Sequence, residues 1–187
     1  MSHTSDSFKT KFLLTALPDV PFDGWSAALL QRTAKKLKLN ETQVAYAFPY
    51  GAKDLIAYFS VWVLAETRKK LKRENLAALR VRDRIALGVK TRLEILTPYK
   101  QAHVFLKPKQ LWQAADSLWW AAGDTSTDYN HYTKRILLSG VLAATTLYWL
   151  NDRSKDHRQT WDFLERRIDN VMKIGQKISS FKKQKAG

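Results

Sequence analysis

The stretch AKKLKLNETQVAYAFPYGAKDL, residues 34–55, has the spacing of a helix, a tight turn and a second helix. Asn40 suits the N-cap of a short helix over residues 41–48, because its side chain can accept a hydrogen bond from the first helical turn. Pro49 and Gly51 then stop this helix before a much longer one begins. The stretch therefore predicts that short helices joined by tight turns form the front of the chain.

Helical periodicity continues along the rest of the chain. Seven Gly and five Pro leave little material for a turn-rich β fold, and hydrophobic residues at 45% can build a sizeable core. The predicted helices cover residues 8–16, 26–37, 41–48, 52–73, 75–96, 99–106, 109–122, 128–150 and 156–181. The sequence therefore predicts an all-α fold of about nine helices in one compact body.

The net charge is +15 over 187 residues, which attracts polyanions such as nucleic acid or an anionic membrane surface. Eight Lys or Arg against two acids fall in residues 68–84, and no acid follows Asp169. The alternative interpretation is that Lys and Arg simply keep a very apolar protein in solution. Charge alone does not choose between these interpretations.

Catalytic signals are scarce in this sequence. The absence of Cys excludes disulfides, thiolate nucleophiles and cysteine metal sites, and the nucleotide-binding and hydrolase fingerprints are missing. The four His show no metal-ligand spacing, and the pair Asp128 and His131 is more typical of a surface hydrogen bond than of a general base. We therefore expect no enzyme activity, no catalytic residue, no metal site and no cofactor.

Two segments carry unusually apolar faces. The first follows helical spacing, which is typical of a buried core helix, and consists of Leu111, Trp112, Ala115, Leu118, Trp119 and Ala122. The second, ILLSGVLAATTLYWL at residues 136–150, is apolar on nearly every side but too short and mixed for a membrane span. Its own domain can cover one side, so a second subunit, a lipid or both must cover the other.

Residues 34–55 resemble the N-terminal helix-turn-helix module of TetR-type regulators, including the run FPxGxxDL at residues 48–55. The presumptive recognition helix, residues 41–48, nevertheless contains no Lys or Arg, and only Gln43 could read a base edge. Lys38 stands where such regulators usually have a turn glycine. We therefore expect a retained fold and lost DNA binding, with a TetR-type ligand-responsive transcriptional regulator as the alternative.

Three further segments resemble the ubiquinone-biosynthesis accessory family called Coq-nine. They are VKTRLEILTPY at residues 89–99, AGDTSTDYNHYTKR at residues 122–135 and TWDFLERRIDNVMKIG at residues 160–175. The resemblance implies a TetR-like fold, with a helix-turn-helix-like subdomain at residues 1–51 and a lipid-binding and dimerisation body at residues 52–187. It also implies a non-catalytic protein that presents isoprenoid quinone intermediates to the demethoxyubiquinone hydroxylase, Coq-seven, at the membrane.

Carried over to this sequence, the family's partner-facing motif falls on residues 127–135. The matching positions are Thr127, Asp128, Asn130, Tyr132, Thr133 and Arg135, and His131 stands where the family commonly has Trp. That replacement changes one aromatic position of the expected partner surface. Residues 124–127 also suit the cap of the following helix, because Asp, Ser and Thr are preferred there.

Helical phase combined with the family fold predicts which side chains line the lipid cavity. The predicted lining residues are Leu111, Ala115, Leu118, Trp119, Leu137, Leu138 and Val141. An apolar cavity of this kind can keep a prenyl tail out of water, because burial of apolar area contributes a favourable free energy of about 25 cal/mol per Å².

The end of the chain has one apolar edge among lysines, which suits an anionic lipid surface. The residues expected at that surface are Lys173, Lys177, Phe181, Lys182 and Lys183. The competing interpretation is an ordinary last helix with a solvated lysine end. The N-terminus MSHTSDSF does not resemble a signal peptide, so we expect a cytoplasmic protein, peripheral on the inner membrane of a bacterium or on the matrix face in a mitochondrion.

Overall fold

The computed structural model describes residues 2–102, 108–126 and 129–185, with side chains described over residues 6–102, 108–126 and 131–174. Most of these residues are helical, and the described part of the chain contains no strand. The α-helices are α1 Ser2–Ala16, α2 Val20–Asp23, α3 Ala27–Leu37, α4 Glu41–Ala47, α5 Ala52–Leu71, α6 Val81–Leu96, α7 Pro108–Ala121, α8 Tyr129–Asn151 and α9 Arg158–Lys185. The all-α prediction is confirmed.

The chain forms two compact units. The first unit comprises Met1–Glu66 with Ile95–Phe105, and the second comprises Thr67–Glu94 with Leu106–Gly187. The predicted boundary after residue 51 stays a prediction about function; the first unit also contains most of α5, whose first turns pack inside it. Phe59 on α5, for example, lies with its ring centroid 5.6 Å from that of Trp25.

The first unit has an apolar core. Phe12 on α1 is fully buried and its ring centroid lies 5.0 Å from that of Phe48, the C-cap residue of α4. α1 packs against α3, and Leu29 on α3 is also fully buried. These contacts stabilise the short helices that the stretch at residues 34–55 predicts.

Capping residues determine where α3 and α4 begin and end on either side of the tight turn. The Ser26 hydroxyl accepts a hydrogen bond from the Leu29 backbone N–H and starts α3. Asn40 starts α4 with a capping box, in which its side chain accepts from the Gln43 N–H and the Gln43 side chain accepts from the Asn40 N–H. Lys38 ends α3 in the left-handed conformation with φ of 55°, which normally favours glycine.

α6 begins later than predicted. The helical pattern from residue 75 suggests one helix, but a 3₁₀ turn at Leu76–Ala78 is followed by extended backbone at Leu79. The Arg84 side chain donates hydrogen bonds to the carbonyls of Ala77 and Leu79, at 3.4 and 2.9 Å. A side chain therefore satisfies acceptors that a longer helix would have satisfied with its own backbone.

In the second unit, α8 packs against both α7 and α9. Asp152 connects the end of α8 to the start of α9: it accepts hydrogen bonds from the Ser154 N–H, the Thr160 N–H and the Thr160 hydroxyl, at 2.7, 2.9 and 2.5 Å. Burial by itself would raise the pKa of Asp152, but these hydrogen bonds outweigh it and keep the pKa well below its usual range. None of the described helices is both long enough and apolar enough to cross a lipid bilayer.

Candidate functional site

The second unit contains an apolar cavity of about 430 Å³. It lies among α6, the end of α7 with the turn that follows it, α8 and α9. Its lining residues are Val81, Arg82, Ile85, Trp119, Ala122, Gly123, Asp124, Lys134, Leu137, Leu138, Val141, Ile168, Val171 and Met172. The volume lies within the range of about 300–1,000 Å³ that is common for ligand pockets.

Helical spacing brings these side chains to one place. On α8 the lining positions 134, 137, 138 and 141 follow i, i+3, i+4 and i+7, and on α9 the positions 168, 171 and 172 follow the same rule. Residues at such spacings share one face of a helix. The apolar faces of α8 and α9 therefore lie on opposite sides of the cavity.

The turn after α7 is shaped by Gly123. Its φ is +87°, and the backbone N–H groups of Gly123 and Asp124 donate to the carbonyls of Trp120 and Trp119, both at 3.0 Å. This pair of hydrogen bonds is the Schellman arrangement, which ends a helix with a left-handed residue, usually glycine. The turn brings the Asp124 side chain to the edge of the cavity.

Asp124 accepts hydrogen bonds from two cations. Its carboxylate lies 2.6 Å from the Lys134 ammonium and 2.5 Å from Nη1 of Arg135, and the Ser126 hydroxyl donates to it as well. Burial by itself would raise the pKa of Asp124. The hydrogen bonds from Lys134, Arg135 and Ser126 outweigh burial and keep the pKa well below its usual range, so Asp124 is ionised at neutral pH.

Trp119 and Lys134 form the polar edge of the cavity. The indole N–H of Trp119 donates to the Lys134 carbonyl at 3.0 Å, and the Lys134 ammonium lies 5.4 Å from the centroid of a Trp119 ring. These contacts combine a hydrogen bond with a cation–π interaction. The large apolar ring of Trp119 therefore faces the cavity while its polar atom is satisfied inside the protein.

Arg82 connects α6 to α9 beside the cavity. One of its terminal nitrogens lies 2.9 Å from a Glu165 oxygen and 2.6 Å from an Asp169 oxygen. The preceding residue, Val81, lines the cavity and is 46% exposed, and Met172 on α9 lines it and is 41% exposed. These two exposed apolar side chains mark where the cavity meets solvent.

The structure brings together four of the predicted lining residues at this cavity: Trp119, Leu137, Leu138 and Val141. Leu111, Ala115 and Leu118 lie outside its lining. Leu118 is buried and points towards α6, where a Cβ built on Gly88 would lie 2.7 Å from its Cδ2 atom. α7 therefore directs Trp119 towards the cavity and Leu118 towards α6.

Sequence reasoning missed the lining residues on α6 and α9. The spacing of Ile168, Val171 and Met172 is a signal that could have indicated an apolar face. Val81 and Arg82 line the cavity because α6 begins at Val81. The sequence pattern predicted an earlier start, at residue 75.

The predicted partner-facing residues separate into three groups. Asp128 lies outside the described residues, and Asn130 lies on α8 without a described side chain. His131 and Tyr132 form a surface: Tyr132 is 58% exposed, and its ring centroid lies 5.2 Å from that of His131 and 6.1 Å from that of Trp112. We call Trp112, His131 and Tyr132 the aromatic patch.

Arg135 forms the third group, because it is buried. Its Nε donates to Asp116 at 2.9 Å, and its Nη1 donates to Asp124 and, at 3.3 Å, to the His131 carbonyl. Burial alone would lower the pKa of Arg135, but Asp124 and Asp116 raise it. The guanidinium is therefore paired inside the protein, where Arg135 holds the start of α8 against Asp116 and Asp124.

The predicted membrane residues all fall on α9. Lys173 is exposed, whereas Lys177, Phe181, Lys182 and Lys183 lie beyond residue 174, after which no side chain is described.

In the first unit, the surface of α4 exposes Glu41, Thr42, Gln43 and Tyr46. Within the described residues, no group of three or more His, Cys, Asp or Glu side chains has an arrangement that could bind a metal ion.

Comparison with solved structures shows the fold. The TetR transcriptional regulator from Nitrosomonas europaea superposes with a TM-score of 0.72 over 89% of this chain and 98% of its own, at 16% sequence identity. The predicted TetR-like architecture is confirmed.

Comparison with protein families and curated proteins shows the sequence relationship. The family model described as COQ9, the family called Coq-nine above, matches residues 105–175. The mitochondrial ubiquinone biosynthesis protein COQ9 of Rattus norvegicus is 31% identical over 92% of this chain and 61% of its own length. The Homo sapiens protein of that name is 30% identical over 92% and 60%, respectively.

The relationship extends beyond animals. A probable ubiquinone biosynthesis protein coq9 of Dictyostelium discoideum is 25% identical over 88% of this chain. The chain spans about 60% of the length of these curated relatives. Similarity to COQ9 proteins thus covers nearly the whole chain, and the COQ9 family model matches the part that contains α7, α8 and the cavity-lining residues of α9.

Proposed function

We propose that this protein is a non-catalytic accessory protein of ubiquinone biosynthesis that binds isoprenoid quinone intermediates in its apolar cavity and presents them to the demethoxyubiquinone hydroxylase at the membrane. The names of the COQ9 relatives support the pathway. The apolar cavity with one polar edge supports the physical role and is the observation that carries the proposal.

The cavity suits a guest with an apolar tail and a polar ring. Leu137, Leu138 and Val141 on α8 offer aliphatic side chains, and burial of an isoprenoid tail against them is worth about 25 cal/mol per Å². Lys134 and Trp119 stand at one edge, where a quinone oxygen can accept a hydrogen bond from the ammonium. Such an arrangement orients the ring while the tail is kept from water.

The aromatic patch is the partner surface in this proposal. Aromatic side chains dominate the binding energy of many interfaces, and Tyr132 is exposed beside the half-buried rings of Trp112 and His131. Because Arg135 binds the His131 carbonyl and Asp124, it stabilises the backbone that carries this patch next to the polar edge of the cavity. A docked hydroxylase would thus meet the ring of the guest.

A peripheral membrane contact completes the proposal. The exposed residues Met172, Lys173 and Ile174 begin the part of α9 that combines an apolar edge with lysines. We also propose a homodimer formed through α8 and α9, which would cover exposed apolar side chains such as Leu147, 48% exposed on α8.

A ligand-responsive DNA-binding regulator is the second candidate, favoured by the helix, turn and helix formed by α3 and α4. The exposed surface of α4 opposes it, because Glu41 is an acid and the helix carries no Lys or Arg. Salt-resistant, sequence-specific binding to duplex DNA that disappears when a prenyl lipid is added would make this candidate the better one.

The cavity assignment is tested by comparing Leu137→Glu with Ile136→Glu. Leu137 lines the cavity, whereas its neighbour Ile136 is 62% exposed and lies outside the lining. We expect Leu137→Glu to lower the prenyl lipid that co-purifies with the protein by at least about tenfold, because a carboxylate would have to be desolvated beside the tail. Mass spectrometry of extracted lipids measures this loss.

Ile136→Glu should retain the lipid, because the same charge then stands in solvent. Circular dichroism establishes that both variants fold. Equal lipid loading of the two variants, or wild-type protein that carries no prenyl lipid, would refute the assignment.

A further inference from the structure

We propose that residues 68–80, which we call the cationic loop, form a docking surface for an anionic phospholipid bilayer beside the opening of the cavity. This surface is separate from the lysines of α9. That the bilayer faces the cavity in order to exchange a prenyl guest rests on the proposed function, whereas binding of the loop to lipid does not.

The cationic loop combines the end of α5 with the segment before α6. Its sequence RKKLKRENLAALR contains six Lys or Arg and one acid, Glu74. Lys70, Lys72 and Arg73 are exposed, and none of these three forms an ion pair with a carboxylate among the described residues. A cluster of four or more cations on one short segment is typical of a surface that binds acidic lipid headgroups.

Arg84 fixes the position of the loop relative to the cavity. Its Nε and one terminal nitrogen donate to the loop carbonyls of Leu79 and Ala77, and its Nη1 donates to the carbonyl of Ala122 at 2.9 Å. Ala122 lines the cavity just before the Gly123 turn. One guanidinium therefore joins the loop to the cavity wall by three hydrogen bonds.

The apolar side chains next to the loop suit the same partner. Val81 follows the loop directly, lines the cavity and is 46% exposed, and Met172 lines the cavity and is 41% exposed. When the loop cations contact headgroups, these two side chains lie at the level where apolar groups enter the headgroup boundary. The opening between them then faces lipid instead of water.

Nucleic acid fits this surface less well. Proteins that bind single strands combine cations with aromatic stacking platforms, and residues 68–84 contain no Phe, Trp or Tyr. A phosphate backbone also offers nothing to the exposed apolar side chains of Val81 and Met172. A bilayer satisfies both the charges and the apolar rim.

The test compares two triple variants of the full chain. The first, Lys70→Gln, Lys72→Gln and Arg73→Gln, removes three charges from the cationic loop. The control, Arg153→Gln, Lys155→Gln and Arg158→Gln, removes three exposed charges at the junction of α8 and α9. That junction lies beyond the end of α8, whose last ten residues after Val141 extend about 15 Å away from the cavity.

Binding is measured by flotation with vesicles of phosphatidylcholine alone and with vesicles that also contain phosphatidylglycerol, at low ionic strength. We expect wild-type protein to prefer the anionic vesicles. The loop variant should lower the partition coefficient by on the order of a hundredfold, since each basic residue near such a surface contributes about fivefold. The control should lose about threefold or less through its lower net charge.

Three results would overturn the proposal. Equal losses in the two variants would show that only net charge matters. An unchanged loop variant, together with loss of binding in Lys177→Gln, Lys182→Gln and Lys183→Gln, would assign all docking to the end of α9. Tighter binding of the loop to duplex DNA than to anionic vesicles at the same salt would assign the surface to nucleic acid.

Quenching of tryptophan fluorescence by a short-tailed ubiquinone separates this proposal from the proposed function. The loop variant should bind the quinone as wild type does, because its substitutions leave the cavity lining unchanged. Protein that binds anionic vesicles through the loop but binds no quinone would refute the proposed function and leave the loop assignment intact. Protein that binds quinone but shows no loop-dependent binding to vesicles would refute the loop assignment and leave the proposed function intact.

Discussion

The two compact units differ in what their interiors contain. Among the described residues, the first unit buries a single polar side chain, Thr33, with apolar residues such as Phe12 and Leu29 around it. The second unit buries nine polar or charged side chains: Thr67, Thr91, Arg92, Ser117, Arg135, Thr145, Thr146, Asp152 and Thr160. The first interior is thus stabilised mainly by packing, whereas the second also depends on the hydrogen bonds and ion pairs of its buried polar groups.

This contrast shows where each unit is sensitive to substitution. An apolar interior tolerates changes that keep its volume, whereas a buried ion pair cannot lose one member without leaving an unpaired charge. Two carboxylates of the second unit lie at the junctions of its helices. Asp124 lies between α7 and α8, and Asp152 lies between α8 and α9.

The largest expected effect is that of Asp124→Ala. This change removes the buried acceptor of Arg135 and Lys134, and we expect it to lower the free energy of unfolding by about 3–5 kcal/mol. Chemical unfolding followed by circular dichroism measures the loss. Asp116→Ala is the matched control, because Asp116 also pairs with Arg135 but its side chain is 47% exposed, and it should cost about 1 kcal/mol or less.

Equal losses in the two variants would contradict the claim that burial makes the ion pairs of the second unit sensitive to substitution. They would show that burial of the Asp124 pair adds nothing beyond an ordinary surface ion pair.

A smaller effect is expected from pH. The folded-state pKa values of Asp124 and Asp152 both lie below the unfolded value of about 3.9. The unfolded state therefore binds more protons in acid, so the stability from these groups is complete above about pH 5 and is lost as the pH falls through the folded pKa values. Unfolding measured between pH 7 and pH 2 should show a steep loss that begins near pH 4.

Asp152→Asn separates the contribution of one carboxylate. This variant should be less stable at neutral pH by about 1–2 kcal/mol, because the charge-assisted bonds to Thr160 are weakened, and its loss of stability in acid should be shallower. Asp162→Asn, an exposed change on α9, should leave the acid profile unchanged. Parallel profiles for Asp152→Asn and wild type would contradict the assignment.

The smallest effect is expected in the first unit, at the turn between α3 and α4. Lys38 has a φ of 55°, a conformation that glycine adopts without steric cost, so Lys38→Gly should stabilise the protein by about 0.5–1 kcal/mol. Thermal unfolding measures the gain. Lys35→Gly, one turn earlier inside α3, should instead destabilise by about 1 kcal/mol, and a loss at both positions would show that the turn is not strained.

The sequence predicted the local features of this fold well. Asn40 was expected to cap α4, and its capping box follows from residues only three positions apart. The start of α6 could not be predicted in the same way, because it depends on Arg84 binding the carbonyls of Ala77 and Leu79 after the chain has folded. Residues close in sequence therefore predict helix caps. A hydrogen bond from a distant side chain to the backbone can be recognised only in the folded structure.

The candidate site shows the same limit. Helical phase identified the α8 face with Leu137, Leu138 and Val141, which does line the cavity, but it also assigned Leu118, which packs towards Gly88. Helical phase shows which residues share a face, but only the packing of the helices decides whether that face lies against the cavity or against another helix. Arg135 illustrates this most clearly, because the motif predicts an exposed binding face, whereas the structure buries the guanidinium and pairs it with Asp116 and Asp124.

The ion pairs around Asp124 have a consequence for the selectivity of the cavity. The Lys134 ammonium and the Arg135 guanidinium already share a carboxylate, and Arg82 likewise binds Glu165 and Asp169. Both cations that line the cavity, Lys134 and Arg82, are thus already paired with an acid of the protein, so a carboxylate placed against this lining would lose hydration without gaining an unpaired counter-charge. An uncharged polar group would lose far less, so we expect the lining, unlike the exposed cations of the cationic loop, to favour a neutral guest over an anionic one.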